Sequence, residues 1–425
     1  MISRLKLSDF SRNVLVILTG TIAAQAIGIL VSPVLTRLYD PADFGVYALF
    51  VSLTALLGSV VCARYEYAIT LPAEHRQGLA LLALCTLIAF GFGLLLLPVI
   101  WLLGDALVVA LKEPRLAAWL WYVPGALFVT GFATAARYWL LRMKEFRMVS
   151  FNGVLRAVVA AVFNIALGVW GFLQFGLIGG LLLGLVVSTV FLGVHIWRES
   201  AADLRQLRWS DLRAQAYAQR GFPLYSTGSA VVESGAAQVP VFFFSSLFGA
   251  TTLGLFSLAQ RMANLPLSLV AGSVGDVFRQ QASAEYARDG NCLALFDRTF
   301  KRLFWMSLPA FVLAAWLSPW VFALVFGAEW KESGEYVRLL VPALGLRFVS
   351  SPLSSMFFIA QRQGVDLGVQ VVLIITMVST FLWAGRTGSG WTANHAIMAY
   401  SGIYSVKYLF ELVMARRFAR GKAAQ

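Results

Sequence analysis

Long apolar runs separated by short polar connections fill this chain. Gly91–Leu103 and Phe172–Ile196 are two of them, and about 20 consecutive apolar residues cross the hydrocarbon core of a bilayer as a helix. The pattern predicts twelve spans. The first six run Asn13–Leu35, Phe44–Tyr67, Gly78–Leu103, Leu116–Leu141, Met148–Leu173 and Gly176–Ile196. The second six run Phe222–Phe248, Thr252–Val277, Leu303–Phe326, Val337–Ala360, Val365–Ala384 and Trp391–Ala415. In lipid every backbone polar group must be satisfied within its own segment, so such runs are helices. The runs lack the apolar–polar alternation of membrane barrel strands. The fold class is an all-α integral membrane protein.

Polar residues inside the spans recur at helical spacing and so fall on one face. Span one carries Thr21, Gln25, Gly28 and Ser32, and span five carries Asn152, Arg156, Ala160, Asn164 and Gly168. Span seven carries Ser226, Ser229 and Glu233, and span eight Ser257, Arg261, Asn264, Ser268, Gly272 and Gly275. Span ten has Arg347, Ser350, Ser351 and Ser354, and span twelve Tyr400, Tyr404, Lys407 and Glu411. Spans three, six, nine and eleven are almost wholly apolar and read as lipid-facing.

Composition agrees with the pattern. Of 425 residues, 59% are hydrophobic and 13% charged, whereas a soluble chain is about a quarter charged. The net charge of +13 is a topology signal before it is a ligand signal. With the N-terminus inside, the inner segments hold 23 Lys and Arg and the outer loops six. That asymmetry puts both termini in the cytoplasm and gives no reason to invoke nucleic acid. No cleavage signal follows the first run, which reads as a retained helix. The inner connections near Arg198–Arg220 and Asp276–Arg302 are basic and amphipathic; lying along anionic headgroups and serving as solvated linkers stand as equal readings. The three cysteines share no ligand spacing, and His75, His195 and His395 are scattered, so no metal site, cofactor site or catalytic constellation is expected.

The chain also repeats. Leu38, Gly45 and Leu49 match Leu247, Gly254 and Leu258, with Tyr39 and Tyr47 opposite Phe248 and Phe256. Six spans separate the copies, so both halves share one orientation, as in transporters built from parallel repeats. Two six-helix lobes follow, residues 1–205 and 206–425.

A charge at mid-bilayer costs at least roughly 2.5–3.5 kcal/mol on insertion scales and normally faces a bundle interior or wet cavity. Arg64, Glu66, Arg137, Arg156, Glu233, Arg261, Arg347, Lys407 and Glu411 fall within the spans. Most are basic, which suits an anion such as a diphosphate, since arginine offers planar paired donors. Arg64, Arg156, Arg261, Arg347 and Lys407, with Asn152 and Asn264, are the cavity candidates, and Glu233 the candidate for ion coupling. Residues near span ends can instead snorkel, Lys407 and Glu411 can pair with one another, and the Ser, Asn and Gly stripes can serve helix packing.

Leu35–Tyr47 (LTRLYDPADFGVY) and Arg64–Pro72 (RYEYAITLP) carry a resemblance to a known family. Gly221–Tyr225 (GFPLY), Pro240, Phe248, Gly249, Gly254, Arg261, Pro266, Phe278 and Phe326–Lys331 (FGAEWK) extend it over nearly the whole chain. The chain resembles the polysaccharide transporters, the O-antigen and exopolysaccharide flippases of the superfamily that includes MATE exporters and lipid II flippases. The resemblance implies two MATE-like six-helix lobes around a partly cationic cavity in the bacterial inner membrane. It implies undecaprenyl-diphosphate-linked oligosaccharide as cargo, alternating access driven by H+ or Na+, and a polysaccharide polymerase as a possible partner. A MATE-like drug or cation antiporter is the alternative; it would favour acidic cavity residues, and here basic ones outnumber Glu233. A membrane polymerase, ligase or glycosyltransferase would need a sizeable outer loop with a carboxylate cluster, which this chain lacks.

Overall fold

A computed structural model describes the backbone of residues 9–386 and 390–421. Side chains are described from Leu15 onward, except at 174, 265, 266, 268–271 and 273. Pro266 and Ser268 of the sequence motifs, and the terminal Arg4, Lys6, Arg12 and Lys422, therefore lie outside the described side chains.

Fourteen α-helices are described: α1 (Asp9–Leu38), α2 (Pro41–Gly58), α3 (His75–Leu111), α4 (Leu116–Leu120), α5 (Val123–Arg142), α6 (Phe146–Val169), α7 (Leu173–Arg205), α8 (Trp209–Ala218), α9 (Thr227–Asp289), α10 (Leu293–Phe326), α11 (Lys331–Leu353), α12 (Met356–Ile359), α13 (Gln363–Arg386) and α14 (Ala393–Ala419). No strand occurs among the described residues. Nine helical stretches there are long and apolar enough to cross a membrane. Adding α5, the second half of α9 and α14, whose polar residues lower their mean hydropathy, gives a total consistent with twelve spans.

Several edges differ from the sequence reading. The expected second span is shorter: α2 stops at Gly58, and the chain turns through left-handed Ala63 (φ 48°) and Arg64 (φ 64°) into a 3₁₀ helix, Tyr65–Thr70. Arg64 and Glu66 therefore stand on a turn and not in a spanning helix. Arg142 on α5 closes this turn. Its guanidinium donates to the carbonyls of Ile69 at 3.1 Å and Glu74 at 2.8 Å, and also to those of Pro72 and Ala73. The expected spans four and ten are each broken near one end, giving α4 with α5 and α11 with α12. The two long connections expected on the inner side are largely helical: α7 continues to Arg205 and is followed by α8, and α9 continues to Asp289. On α8, the Arg208 N–H and the Arg76 guanidinium hold the Asp211 carboxyl below the usual carboxylate range.

The chain divides into two compact units, residues 1–238 and 239–425. In the first, α6 packs on α1 and α7, and α3 on α5. The glycines make this approach possible. A Cβ on Gly184 of α7 would stand 2.8 Å from the Arg156 carbonyl of α6, and one on Gly180 would overlap Asn164. Small residues at such spacing let helices close up in lipid. The apolar spans α3 and α7 were expected to face lipid. Each buries a face against protein, α3 through Leu79–Leu82 and Cys85, because hydrocarbon and a protein neighbour solvate an apolar side chain alike. In the second unit, α11 packs on α10 and α14, and α13 on α14.

The two repeat segments turn at matching places. Asp40 precedes α2, caps it by accepting from the Asp43 N–H at 2.9 Å, and hands over to Pro41 at the first helical position. The break inside α9 falls at Gly249 (φ 82°, ψ 176°), as far from Asp40 as Leu247 is from Leu38. A left-handed φ of this kind is open to glycine and strained for other residues.

Candidate functional site

The eight residues singled out from the sequence divide evenly between the units. Arg64, Asn152, Arg156 and Glu233 belong to the first; Arg261, Asn264, Arg347 and Lys407 belong to the second.

In the first unit the four do not form one cluster. Arg64 donates to the Tyr67 hydroxyl at 3.0 Å and lies 3.9 Å from Glu66, while Tyr67 packs on Tyr138 of α5. That is a local arrangement of the turn. Arg156 and Asn152 stand one helical turn apart on α6, with Arg156 exposed. The side-chain carbonyl oxygens of Asn152, and of Gln25 on α1, are buried and find no partner among the described residues. Farther along the stripe, Asn164 Oδ1 is likewise buried with no partner among the described residues, while Gly168 serves packing. Gly168 makes room for the Tyr39 ring, whose hydroxyl donates to the Asn164 carbonyl at 2.6 Å. Burial pushes the Tyr39 phenol up to about 12. Glu233 is exposed near the start of α9. Of the candidate spans, α6 is the least buried within its unit.

The second unit brings its candidates together. Arg347 on α11 donates to Asn264 Oδ1 on α9 at 2.7 Å. One turn before Asn264, Gln260 donates to the Tyr400 hydroxyl on α14 at 2.9 Å. Tyr400, Tyr404 and Tyr408 sit at i, i+4 and i+8, so their rings form a row, each tilted about 40° to the next, with centroids 4.6 and 5.9 Å apart. Lys407 lies 4.5 Å over the Tyr408 ring and 2.8 Å from Glu411 Oε1. The Ser350 hydroxyl donates to Glu411 Oε2 at 3.1 Å, so both carboxylate oxygens are engaged. Arg261 is exposed one residue beyond Gln260. Gln260, Asn264, Arg347 and the three tyrosines line a small cavity of about 30 Å³, room for a water molecule.

This seam presents an arginine, two amides and three phenols on adjacent helix faces, with its one acid neutralised by a lysine. It suits a ligand that is anionic at one point and rich in hydroxyls elsewhere. Sequence reading placed Tyr400 and Tyr404 on the right face but did not count them, and it missed Gln260 and Tyr408. The i, i+4, i+8 tyrosine spacing was the available signal.

A second grouping was illegible in the sequence. His195 Nε2 on α7 lies 2.6 Å from Glu145 Oε2, beside the start of α6, and 3.6 Å from Glu199 Oε2. Spacing along the chain could not assemble it, because Glu145 lies far from the other two. The three offer ligand atoms within 4.8 Å of one another, and their contacts tie α7 to the α5–α6 corner.

The family model described as polysaccharide biosynthesis protein matches residues 34–335. No curated protein sequence matches the chain. Among solved structures, an inward-facing multidrug resistance MATE transporter of the MOP superfamily aligns with TM-score 0.70 at 15% identity, covering 95% of this chain and 98% of its own. The lipid II flippase MurJ in an inward closed conformation aligns with TM-score 0.72 at 12% identity, over 94% and 87%. A MOP superfamily transporter from Pyrococcus furiosus, described as having a binding pocket of reverse polarity, aligns with TM-score 0.60 at 14% identity, over 96% and 95%. At these identities the likeness is one of fold.

Proposed function

The chain belongs to the polysaccharide biosynthesis protein family, and from that premise we propose that it flips a polyprenyl-diphosphate-linked oligosaccharide across the bacterial inner membrane. The cargo is an O-antigen or exopolysaccharide repeat unit, and so a step towards lipopolysaccharide or capsule-like glycan. Carrying its hydroxyls through hydrocarbon would strip them of water without replacement, which is prohibitive. A polar path opened to one side at a time removes that barrier with no bond made or broken. The MOP transporter fold, to which the matched structures belong, supports such a cycle.

The observation that carries the reading is the seam of Arg347, Asn264, Gln260 and the Tyr400–Tyr404–Tyr408 row. Arginine recognises phosphate oxygens in pairs, and amides and phenols exchange hydrogen bonds with sugar hydroxyls. Arg261 stands on the same helix as Gln260 and Asn264 and is proposed to meet the diphosphate. Within the first unit, Arg156 and Asn152 on α6, and Arg64 on its turn, are proposed as further cargo contacts. Glu233 is proposed as the group that couples export to H+ or Na+. Residues 1–205 and 206–425 are proposed as the two repeat lobes.

The test uses a host lacking its own flippase, with variants matched for membrane level and surface glycan measured. Arg347→Ala and Arg261→Ala are expected to abolish export, and the lysine variants to retain part of it, because charge survives while the paired donor geometry is lost. Full export by both alanine variants would remove these arginines from the mechanism.

A further inference from the structure

Glu145, His195 and Glu199 of the first unit are not among the cargo or coupling candidates, and local structure brings them together. At the α5–α6 corner Lys144 turns the chain through a left-handed φ of 61°. Glu145 follows as the N-cap of α6. Its carbonyl accepts from the Met148 and Val149 N–H groups at 3.0 and 3.2 Å. Its side chain caps nothing and reaches α7 instead. His195 and Glu199 stand one turn apart on α7, and so on one face. Leu192, Ile196 and Ser200 beside them are buried, which fixes the rotation of that face against the unit.

Two features exceed what an ion pair needs. Both carboxylates aim an oxygen at the same atom, His195 Nε2, Glu145 from 2.6 Å and Glu199 from 3.6 Å. A ring nitrogen carries one proton and donates to one acceptor, so the imidazole serves Glu145 and leaves Glu199 to water. The surroundings, moreover, are basic yet unused. Lys144, Arg147 and Arg198 stand within two residues of the carboxylates along the chain. Among the described residues none of them forms an ion pair with either carboxylate, and both acids turn to the histidine.

We infer that Glu145, His195 and Glu199 bind one divalent transition-metal ion, Zn2+ in preference to Mn2+ and Mg2+. An ion among the three ligand atoms serves all of them at once, which one proton does not. One imidazole with two carboxylates is a zinc donor set. The two negative charges balance the ion, and the nitrogen ligand disfavours Mg2+, which takes oxygen. Around a tetrahedral ion with ligands at about 2.0–2.2 Å, neighbouring donor atoms stand about 3.4 Å apart. The 3.6 Å pair already has that spacing. The 2.6 Å pair opens by under about 1 Å as the ion replaces the proton between Nε2 and Oε2, which leaves to solvent. The two carboxylate oxygens, within 4.8 Å of each other, close up by rotation of the Glu199 side chain. That side chain is 51% accessible, against 19% for His195 and 26% for Glu145, so the ion enters there and water completes its shell. Once bound, it clips the α5–α6 corner to α7. The inference is independent of the cargo and of the coupling role proposed for Glu233.

The experiment titrates the full-length protein, purified in detergent without a polyhistidine tag and stripped with chelator, with Zn2+, Mn2+ and Mg2+ in a calorimeter. One Zn2+ per chain is expected, held at least about tenfold more tightly than Mn2+, with Mg2+ unable to displace it. His195→Ala is expected to abolish binding. Because that variant also breaks the contact with Glu145, Glu199→Gln is the sharper test. It removes a ligand, leaves the 2.6 Å Glu145–His195 contact in place, and is expected to weaken Zn2+ by at least about tenfold. His75→Ala is the control. His75 has one carboxylate neighbour, Asp203 at 3.5 Å, and its loss is expected to change neither stoichiometry nor affinity. Zn2+ is also expected to raise the thermal midpoint of the wild type, and to raise that of Glu199→Gln less. No saturable Zn2+ at one per chain, or binding that His195→Ala and Glu199→Gln leave intact, overturns the site and leaves an ion pair. Mg2+ bound as tightly as Zn2+ overturns the choice of metal.

Discussion

Lys407 and Glu411 stand one turn apart on α14, 2.8 Å from each other and with side chains only 19% and 7% accessible. Both Glu411 oxygens are used, one by Lys407 and one by Ser350. Removing one partner of a buried pair leaves a charge with nothing to offset its desolvation, at a cost of about 3–5 kcal/mol, whereas replacing both members can be neutral. Lys407→Met alone is therefore expected to lower the thermal midpoint of the purified protein sharply. Lys407→Met combined with Glu411→Gln is expected to recover most of the loss, because Gln keeps an acceptor for the Ser350 hydroxyl. If the double variant is as unstable as the single one, the pair is not a neutralising device. Export in the double variant separates roles further: normal export would show that Lys407 is structural and takes no part in holding cargo.

At the scale of elements, the apolar runs made most helices visible and hid most joints. The spacing of polar residues located α1, α6, α9, α11 and α14, and it put Arg347, Asn264 and Tyr400 on faces that do meet. It did not show that α2 ends at Gly58. Val60, Val61 and Cys62 continue the hydrophobic run, yet the chain there turns through left-handed Ala63 and Arg64 and the Cys62 thiol donates to the Gly131 carbonyl of α5, a contact that hydropathy does not reveal. Nor did hydropathy separate lipid-facing from buried surfaces on α3 and α7, since both environments are apolar. What sets their packing is the placement of glycine. Gly184→Leu is expected to force α7 away from the Arg156 carbonyl, only 2.8 Å from the position of an added Cβ. Overpacking of this kind costs about 1–3 kcal/mol, and here it meets backbone that cannot rotate aside. A lower melting temperature with the circular-dichroism spectrum intact is the expected outcome; an unchanged midpoint would show that the α6–α7 contact accommodates the added side chain.

For the molecule as a whole, the uneven distribution of Lys and Arg predicts that both ends of the chain lie in the cytoplasm. A phosphatase reporter fused after Gln425 is expected to stay inactive and a cytoplasmic fluorescent reporter to be bright; the opposite pattern would invert the orientation. Asp40 and Gly249 mark the same turn in two related segments but make it differently, one by a cap and proline, the other by a left-handed glycine. The Arg142 closure has a consequence for how this protein is made. The carbonyls of Ile69, Pro72, Ala73 and Glu74 receive their donor from a residue 68 positions beyond the last of them. At roughly 5–20 residues per second of synthesis, the early hairpin waits several seconds at the insertion machinery with those acceptors served only by water. A nascent chain stalled before Arg142 emerges should therefore be open to protease at this turn, and one stalled after α5 has entered the bilayer should be protected.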